Sequence, residues 1–137
     1  MRYLEPENFN IFQYIILIIS IVMKKFSVLD AKKVLYSILN GELDRKKGLE
    51  KLASIKTKNK VLKGYIFGVT SILDKKYKRY SFNVENANLK DLKRLEKIMS
   101  ELGNNRFLSD FEKGYFLSWK DYLQYILRKL GRGIYNQ

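Results

Sequence analysis

Apolar residues recur every three or four positions along most of residues 27–131, the spacing that puts them on one face of an α-helix. Short polar or glycine-containing segments interrupt this pattern four times. The pattern therefore predicts an all-α domain at 27–131, built as a compact bundle of about five helices. An apolar segment at 1–26 precedes this domain, and a short tail at 132–137 follows it.

Residues that favour helix ends divide this region. Ser27 and Asp30 have the spacing of a capping box, so we expect the first helix to begin after Ser27. A glycine just past a helix can take the left-handed conformation that ends it. The other predicted starts are Asp44, Asn88 and Ser109, and the predicted ends are Asn40-Gly41, Gly103 and Gly131.

The predicted third helix is the centre of the bundle. We expect it to run unbroken over 63–80, because its apolar residues keep helical spacing as far as Tyr77 and Tyr80. Gly64, Gly68 and Ser71 form a strip of small residues beside that apolar face. Since glycine is unfavourable inside a helix, the strip predicts a second helix in close contact with it.

The segment at 113–127 repeats features of this helix fifty positions later. Gly64-Tyr65 matches Gly114-Tyr115, Gly68 matches Ser118, and each long helix follows a shorter one. We interpret the domain as two duplicated helical hairpins. Two copies are too few to establish a repeat, so duplication is a hypothesis.

The apolar segment at 9–23 has three open interpretations. It is a helix that is buried or docks onto a partner, it is a membrane anchor, or residues 1–22 are foreign to the natural protein and Met23 is the start. The segment is short for a membrane span, which needs about 20 apolar residues. The predicted partner-docking residues are Ile11, Phe12, Ile15, Ile16 and Ile19.

Charge is the strongest indication of function. The 27 lysines and arginines exceed the 14 acidic residues, which gives a net charge of +13. Such an excess favours polyanionic partners, nucleic acid first and anionic membranes second. A lysine-rich surface without a specific partner is the alternative explanation.

The sequence indicates no catalytic or metal-binding site. The chain has no cysteine and no histidine, so thiol catalysis and the commonest general base and metal ligands are lacking. We predict no enzyme activity, no metal and no cofactor. We interpret Asp110, Glu112 and Asp121 as ordinary surface partners of neighbouring lysines, and Trp119 as a core residue.

The predicted function is that of a small basic accessory protein in the cytoplasm. It would bind nucleic acid, or a nucleoprotein complex such as a polymerase or ribosome, through phosphate contacts without reading sequence. The alternative is a protein–protein adaptor or a subunit of a larger complex, and one form of this alternative is associated with a membrane through residues 9–23. The predicted main contacts are Lys75, Lys76, Lys78 and Arg79, and the further contacts are Lys56, Lys58, Lys60, Lys63, Arg45, Lys46 and Lys47.

Overall fold

The structure is a computed structural model of the chain. It describes the backbone at 6–22, 25–80, 82, 84 and 87–135, and the side chains at 10–18, 25–77, 82, 84 and 87–131. The described residues are helical and contain no β-strand, which confirms the predicted all-α class. The α-helices are α1 (Pro6–Val22), α2 (Val28–Leu39), α3 (Arg45–Ala53), α4 (Lys60–Leu73), α5 (Leu89–Gly103) and α6 (Asp110–Tyr135), with a 3₁₀ segment at Lys75–Tyr80.

The predicted helix ends around α2 are confirmed. Ser27 Oγ accepts a 3.2 Å hydrogen bond from the Asp30 amide, and Asp30 Oδ2 accepts one of 2.8 Å from the Ser27 amide. Gly41 follows α2 with a φ of 77°, a conformation that glycine adopts without strain. These contacts involve only neighbouring residues, which is why the sequence reveals them.

Helix α4 is shorter than predicted, and the unbroken helix expected over 63–80 is wrong. The helix ends at Leu73, and Asp74 has an extended backbone with φ −106° and ψ 119°. The Asp74 side chain accepts a 3.0 Å hydrogen bond from the Lys76 amide, so it offers the backbone an alternative to the helix. The chain then continues as the 3₁₀ segment, with a kink at Tyr77.

Helix α6 is longer than predicted. It begins after Ser109 as expected, with Ser109 Oγ accepting from the Glu112 amide at 3.1 Å, but it continues through Gly131 to Tyr135. The predicted end at Gly131 is therefore wrong. Glycine permits a left-handed helix end without enforcing one, and Gly131 has no positive φ.

Helices α4 and α6 cross in close contact through their glycines. A Cβ on Gly64 would collide with the carbonyl group of Phe111, and a Cβ on Gly114 would collide with the carbonyl group of Val61. A Cβ on Gly68 would collide with the Ser118 hydroxyl. Gly68 and Ser118 match directly through the offset of fifty, and the same offset relates the Gly64–Phe111 contact to the Gly114–Val61 contact. The two helices therefore meet through corresponding surfaces.

Helices α2, α3 and α5 pack against the α4–α6 pair. Helices α2 and α3 pack on α4 around a core whose fully buried members include Ala31, Leu35, Leu52, Leu62 and Tyr65. Helix α5 packs along α6 around a second core of Leu92, Met99, Trp119 and Leu123. Helix α4 is thus covered by α2 and α3 as well as α6, which agrees with its predicted central position.

Helix α1 contacts no other helix within the described part of the chain. Its apolar side chains at 11–12 and 14–18 are 49–68% exposed, so the interpretation that this helix is buried within the domain is wrong. The predicted docking residue Ile19 lies outside the described side chains. Among the described helices, none is long and apolar enough to cross a lipid bilayer.

Candidate functional site

An extended group of cations lies between the start of α3 and the first turn of α4. We call residues 45–63 the basic segment. It contains eight lysines and arginines and one glutamate, and Asp44 precedes it. Every one of the eight cationic residues is exposed. Seven of them are predicted contacts: Arg45, Lys46, Lys47, Lys56, Lys58, Lys60 and Lys63.

Local hydrogen bonds give this segment a defined shape. Asp44 Oδ2 caps α3 by accepting a 3.2 Å hydrogen bond from the Lys47 amide. Asn59 Oδ1 caps α4 by accepting one of 3.2 Å from the Leu62 amide, and the Asn59 amide donates at 3.0 Å to Thr57 Oγ1. The backbone that carries the cations is therefore held at both helix starts.

The position of these cations is unfavourable for the helices themselves. Arg45, Lys46 and Lys47 occupy the first turn of α3, while Lys60 and Lys63 lie in or next to the first turn of α4. The positive end of a helix dipole repels cations, and neither first turn contains an acidic residue. Helix stability therefore does not explain why cations occupy these turns.

The other predicted contacts lie at the opposite end of α4. Lys75 and Lys76 are exposed on the 3₁₀ segment, and Lys78 and Arg79 fall on that segment but outside the described side chains. Ten residues of α4, at 64–73, separate the two groups, a rise of about 15 Å. Seven of the predicted cations therefore lie in the basic segment, and the other four lie on the 3₁₀ segment beyond the far end of α4.

A polar cluster that the sequence analysis missed joins α2, α4 and α6. Asp121 is only 4% exposed, so its interpretation as an ordinary surface residue is wrong. Its Oδ2 accepts a 2.6 Å hydrogen bond from the Tyr65 hydroxyl, and its Oδ1 lies 3.7 Å from Lys32 Nζ and 3.6 Å from Lys120 Nζ. As predicted, the neighbouring Lys120 lies close to this carboxylate, but the carboxylate is buried and not at the surface.

Tyr36 extends this cluster towards the surface. Its hydroxyl donates to the backbone carbonyl of Asp121 at 3.0 Å and accepts a 2.9 Å hydrogen bond from Arg128 Nη2. Burial and the Asp121 charge raise the pKa of Tyr36, and Arg128 opposes that shift. Burial and the same carboxylate raise the pKa of Tyr65 more strongly, so both hydroxyls act as hydrogen-bond donors at neutral pH.

The fifty-residue offset is the signal that could have located Asp121. The small strip of Gly64, Gly68 and Ser71 corresponds to Gly114, Ser118 and Asp121. Ser71 and Ser118 are both buried, and Asp121 lies on the same strip. Extending the alignment by one more helical turn would have predicted a buried carboxylate at this position.

Comparisons of the chain with protein-family models, with curated protein sequences and with solved structures give no match. The function is therefore inferred from the arrangement of this chain's own residues.

Proposed function

We propose that this chain is a small basic accessory protein that binds nucleic acid, or a nucleoprotein complex, through phosphate contacts. The observation that carries the proposal is the basic segment, where eight exposed cations lie within nineteen residues. A basic surface of this kind typically binds the phosphate groups of nucleic acid. Contacts to phosphates position a protein on nucleic acid without reading its base sequence.

The pairing of charges supports this proposal. Among the described side chains, the ion pairs join Lys32 and Lys120 to Asp121. None of the predicted contact residues with a described side chain pairs with a described carboxylate. Their charge is therefore not neutralised by a described carboxylate and is available to a partner.

The helix starts supply a second argument. Cations in the first turns of α3 and α4 oppose the helix dipoles, and a bound polyanion would relieve that repulsion. The backbone amides at a helix start also favour negative charge. A phosphate near Arg45 or Lys60 would thus interact favourably with both side chain and helix.

The experiment that tests this function is a titration of labelled duplex and single-stranded oligonucleotides at several salt concentrations. The proposal predicts binding whose affinity falls linearly with salt on logarithmic axes, with a slope of about −0.9 for each duplex phosphate neutralised. Oligonucleotide binding no tighter than that of a neutral protein of this size at low salt would refute the proposal.

A second candidate is a protein–protein adaptor, and the exposed apolar helix α1 favours it. Ile11, Phe12, Ile15 and Ile16 are 49–61% exposed and contact no other described helix. A partner helix would cover them. A chain that lacks nucleic-acid affinity and loses its oligomeric state when residues 1–22 are deleted would support this function instead.

The duplicated-hairpin hypothesis also stays a proposal. The matching glycine contacts between α4 and α6 support a shared origin of these two helices. The preceding helices are less alike, since α5 packs along α6 whereas α3 packs on both α2 and α4. On this account the two copies kept their central packing, and the first copy acquired the basic segment.

A further inference from the structure

A second cationic surface lies where α2 meets α6, outside the residues predicted from the sequence. We call it the α2/α6 patch and define it by its four cations and two tyrosines: Lys32, Lys33, Tyr36, Tyr125, Arg128 and Lys129. Lys33, Arg128 and Lys129 are exposed, and the other three are partly exposed.

The two tyrosine rings are held in place by hydrogen bonds. Their centroids lie 5.4 Å apart with an angle of 45° between the planes. The Tyr125 hydroxyl donates a 2.6 Å hydrogen bond to Asn40 Oδ1, while Tyr36 is fixed by Asp121 and Arg128. The rings therefore form a defined aromatic surface between the helices.

Cations surround these rings. Lys32 Nζ and Arg128 Cζ each lie 5.5 Å from the centroid of Tyr36, and Lys129 Nζ lies 5.0 Å from that of Tyr125. Among the described residues, the carboxylate that pairs with patch cations is Asp121, which is buried beneath them. The solvent side of the patch is therefore positive.

An open groove along α2 adjoins the Tyr36 ring. It has a volume of about 460 Å³ and is open to solvent. It is lined by Leu29, Lys32, Lys33, Tyr36, Ser37 and Asn40. Asn40 precedes Arg45 by five residues, a chain length of at most about 18 Å, so the groove lies near the start of the basic segment.

We propose that the α2/α6 patch binds a single-stranded segment of nucleic acid. Aromatic rings among cations are the combination by which proteins bind single strands. The phosphates take up the cations that now lie over the rings, and unpaired bases stack in the cations' place. Duplex bases are already stacked on one another and gain nothing from Tyr36 or Tyr125. Lys33, Arg128 and Lys129 hold the phosphates, and the strand continues towards Arg45.

This inference rests on the proposed function and narrows it to unpaired strands. The test compares the affinity for a labelled single strand of about 12 nucleotides with that for the duplex of the same sequence. The full chain is expected to prefer the single strand. Tyr125→Leu, which removes the ring, should weaken single-strand binding about tenfold and leave duplex binding unchanged, while Tyr125→Phe should keep the preference.

Several results would overturn the inference. Equal affinity for both forms, or equal losses in Tyr125→Leu and Tyr125→Phe, would remove the role of the ring while the proposed function stands. Absence of all nucleic-acid binding would refute both proposals. An acidic peptide of matched charge that binds as tightly as the single strand would assign the patch to a protein partner.

A second variant covers the case in which Tyr125→Leu does not fold. Lys33→Gln combined with Lys129→Gln changes two exposed side chains and leaves the hydrogen bonds that hold both rings in place. It should lower single-strand affinity more than duplex affinity, because these cations lie beside the rings and apart from the basic segment. Equal losses of single-strand and duplex affinity would contradict the proposed single-strand site at the α2/α6 patch.

Discussion

The Tyr65 hydroxyl donates a 2.6 Å hydrogen bond to Oδ2 of Asp121, and both residues are buried where α4 meets α6. The same carboxylate lies within ion-pair distance of Lys32 on α2. One buried charge thus connects three helices. We expect the free energy of unfolding to depend on this contact more than on surface ion pairs, which contribute little.

Tyr65→Phe tests this contact. The substitution removes the hydroxyl and leaves the Asp121 carboxylate without its hydrogen-bond donor. Hydrogen bonds to charged groups contribute about 1.5–3 kcal/mol, so we expect the free energy of unfolding to fall by about that amount. Urea denaturation measures it, and a loss below about 0.5 kcal/mol, typical of an unimportant surface substitution, would contradict the account.

The same contact predicts a loss of stability at high pH. Burial, followed by the Asp121 charge, raises the pKa of Tyr65 above its ordinary value of 10.0. Below pH 10.0 both the folded and the unfolded chain keep the proton, and the stabilisation is fully present. Above it the unfolded chain loses the proton first, so stability falls by up to about 1.4 kcal/mol per pH unit.

Urea denaturation of the wild type and Tyr65→Phe at about pH 9 and about pH 11 measures this effect. The wild type should lose more stability between the two values than the variant does. Tyr36 and Tyr115 also have raised pKa values and remain in the variant, so part of the alkaline loss persists. Equal losses in the two proteins would contradict the assignment to Tyr65.

Gly64→Ala tests the close crossing of α4 and α6. The added methyl group would collide with the Phe111 carbonyl, which belongs to the backbone of another helix and has little freedom to move. Overpacking of this kind costs about 1–3 kcal/mol, which exceeds the gain of about 1 kcal/mol from replacing a helical glycine. We therefore expect a lower midpoint of thermal unfolding.

Gly131→Ala is the matched control for that substitution. Gly131 also lies within a helix, but a Cβ placed there meets no atom within 4 Å. The gain in helix propensity should therefore appear without the collision, raising stability by up to about 1 kcal/mol. Stability changes of opposite sign in the two variants would support the close crossing of α4 and α6. Losses of stability of similar size in both would contradict it.

Deletion of residues 1–22 tests the position of α1. Because α1 contacts no other described helix, the remaining domain should keep its helical circular dichroism and its urea midpoint. The full chain should self-associate through the exposed apolar side chains of α1, and the deletion variant should not. Light scattering detects the difference. A domain that unfolds without this segment would show that α1 is needed for folding.

Local signals explain what was predictable. The caps at Ser27, Asp44 and Asn88 depend on side chains three residues from the amides they bind, and all three are confirmed. The buried positions of Tyr65 and Trp119 follow from helical spacing. The glycine strip predicted a close helix contact, and α6 supplies it.

Competing local interactions and contacts between distant residues explain what was missed. Helical spacing continues past Asp74 to Tyr77, so the hydrophobic pattern alone hides the break that the Asp74 side chain makes. The burial of Asp121 depends on Lys32 and Tyr65, which lie 89 and 56 positions away in the chain. The α2/α6 patch was missed for the same reason, because it joins two distant helices.

Two variants with the same loss of charge test whether the basic segment binds the phosphate groups of nucleic acid. The basic-segment variant carries glutamine at Lys56, Lys58, Lys60 and Lys63. The control carries glutamine at four exposed cations of α5: Lys90, Lys93, Arg94 and Lys97. The measured quantity is the affinity of each variant for a duplex oligonucleotide as a function of salt concentration.

The basic-segment variant should lose up to about 3.6 units of the logarithmic salt slope, and the control should keep a slope close to that of the wild type. The basic-segment variant should fold at least as stably as the wild type, because it removes cations at the start of α4. Equal losses of slope in the two variants would show that net charge alone drives binding and would contradict the assignment.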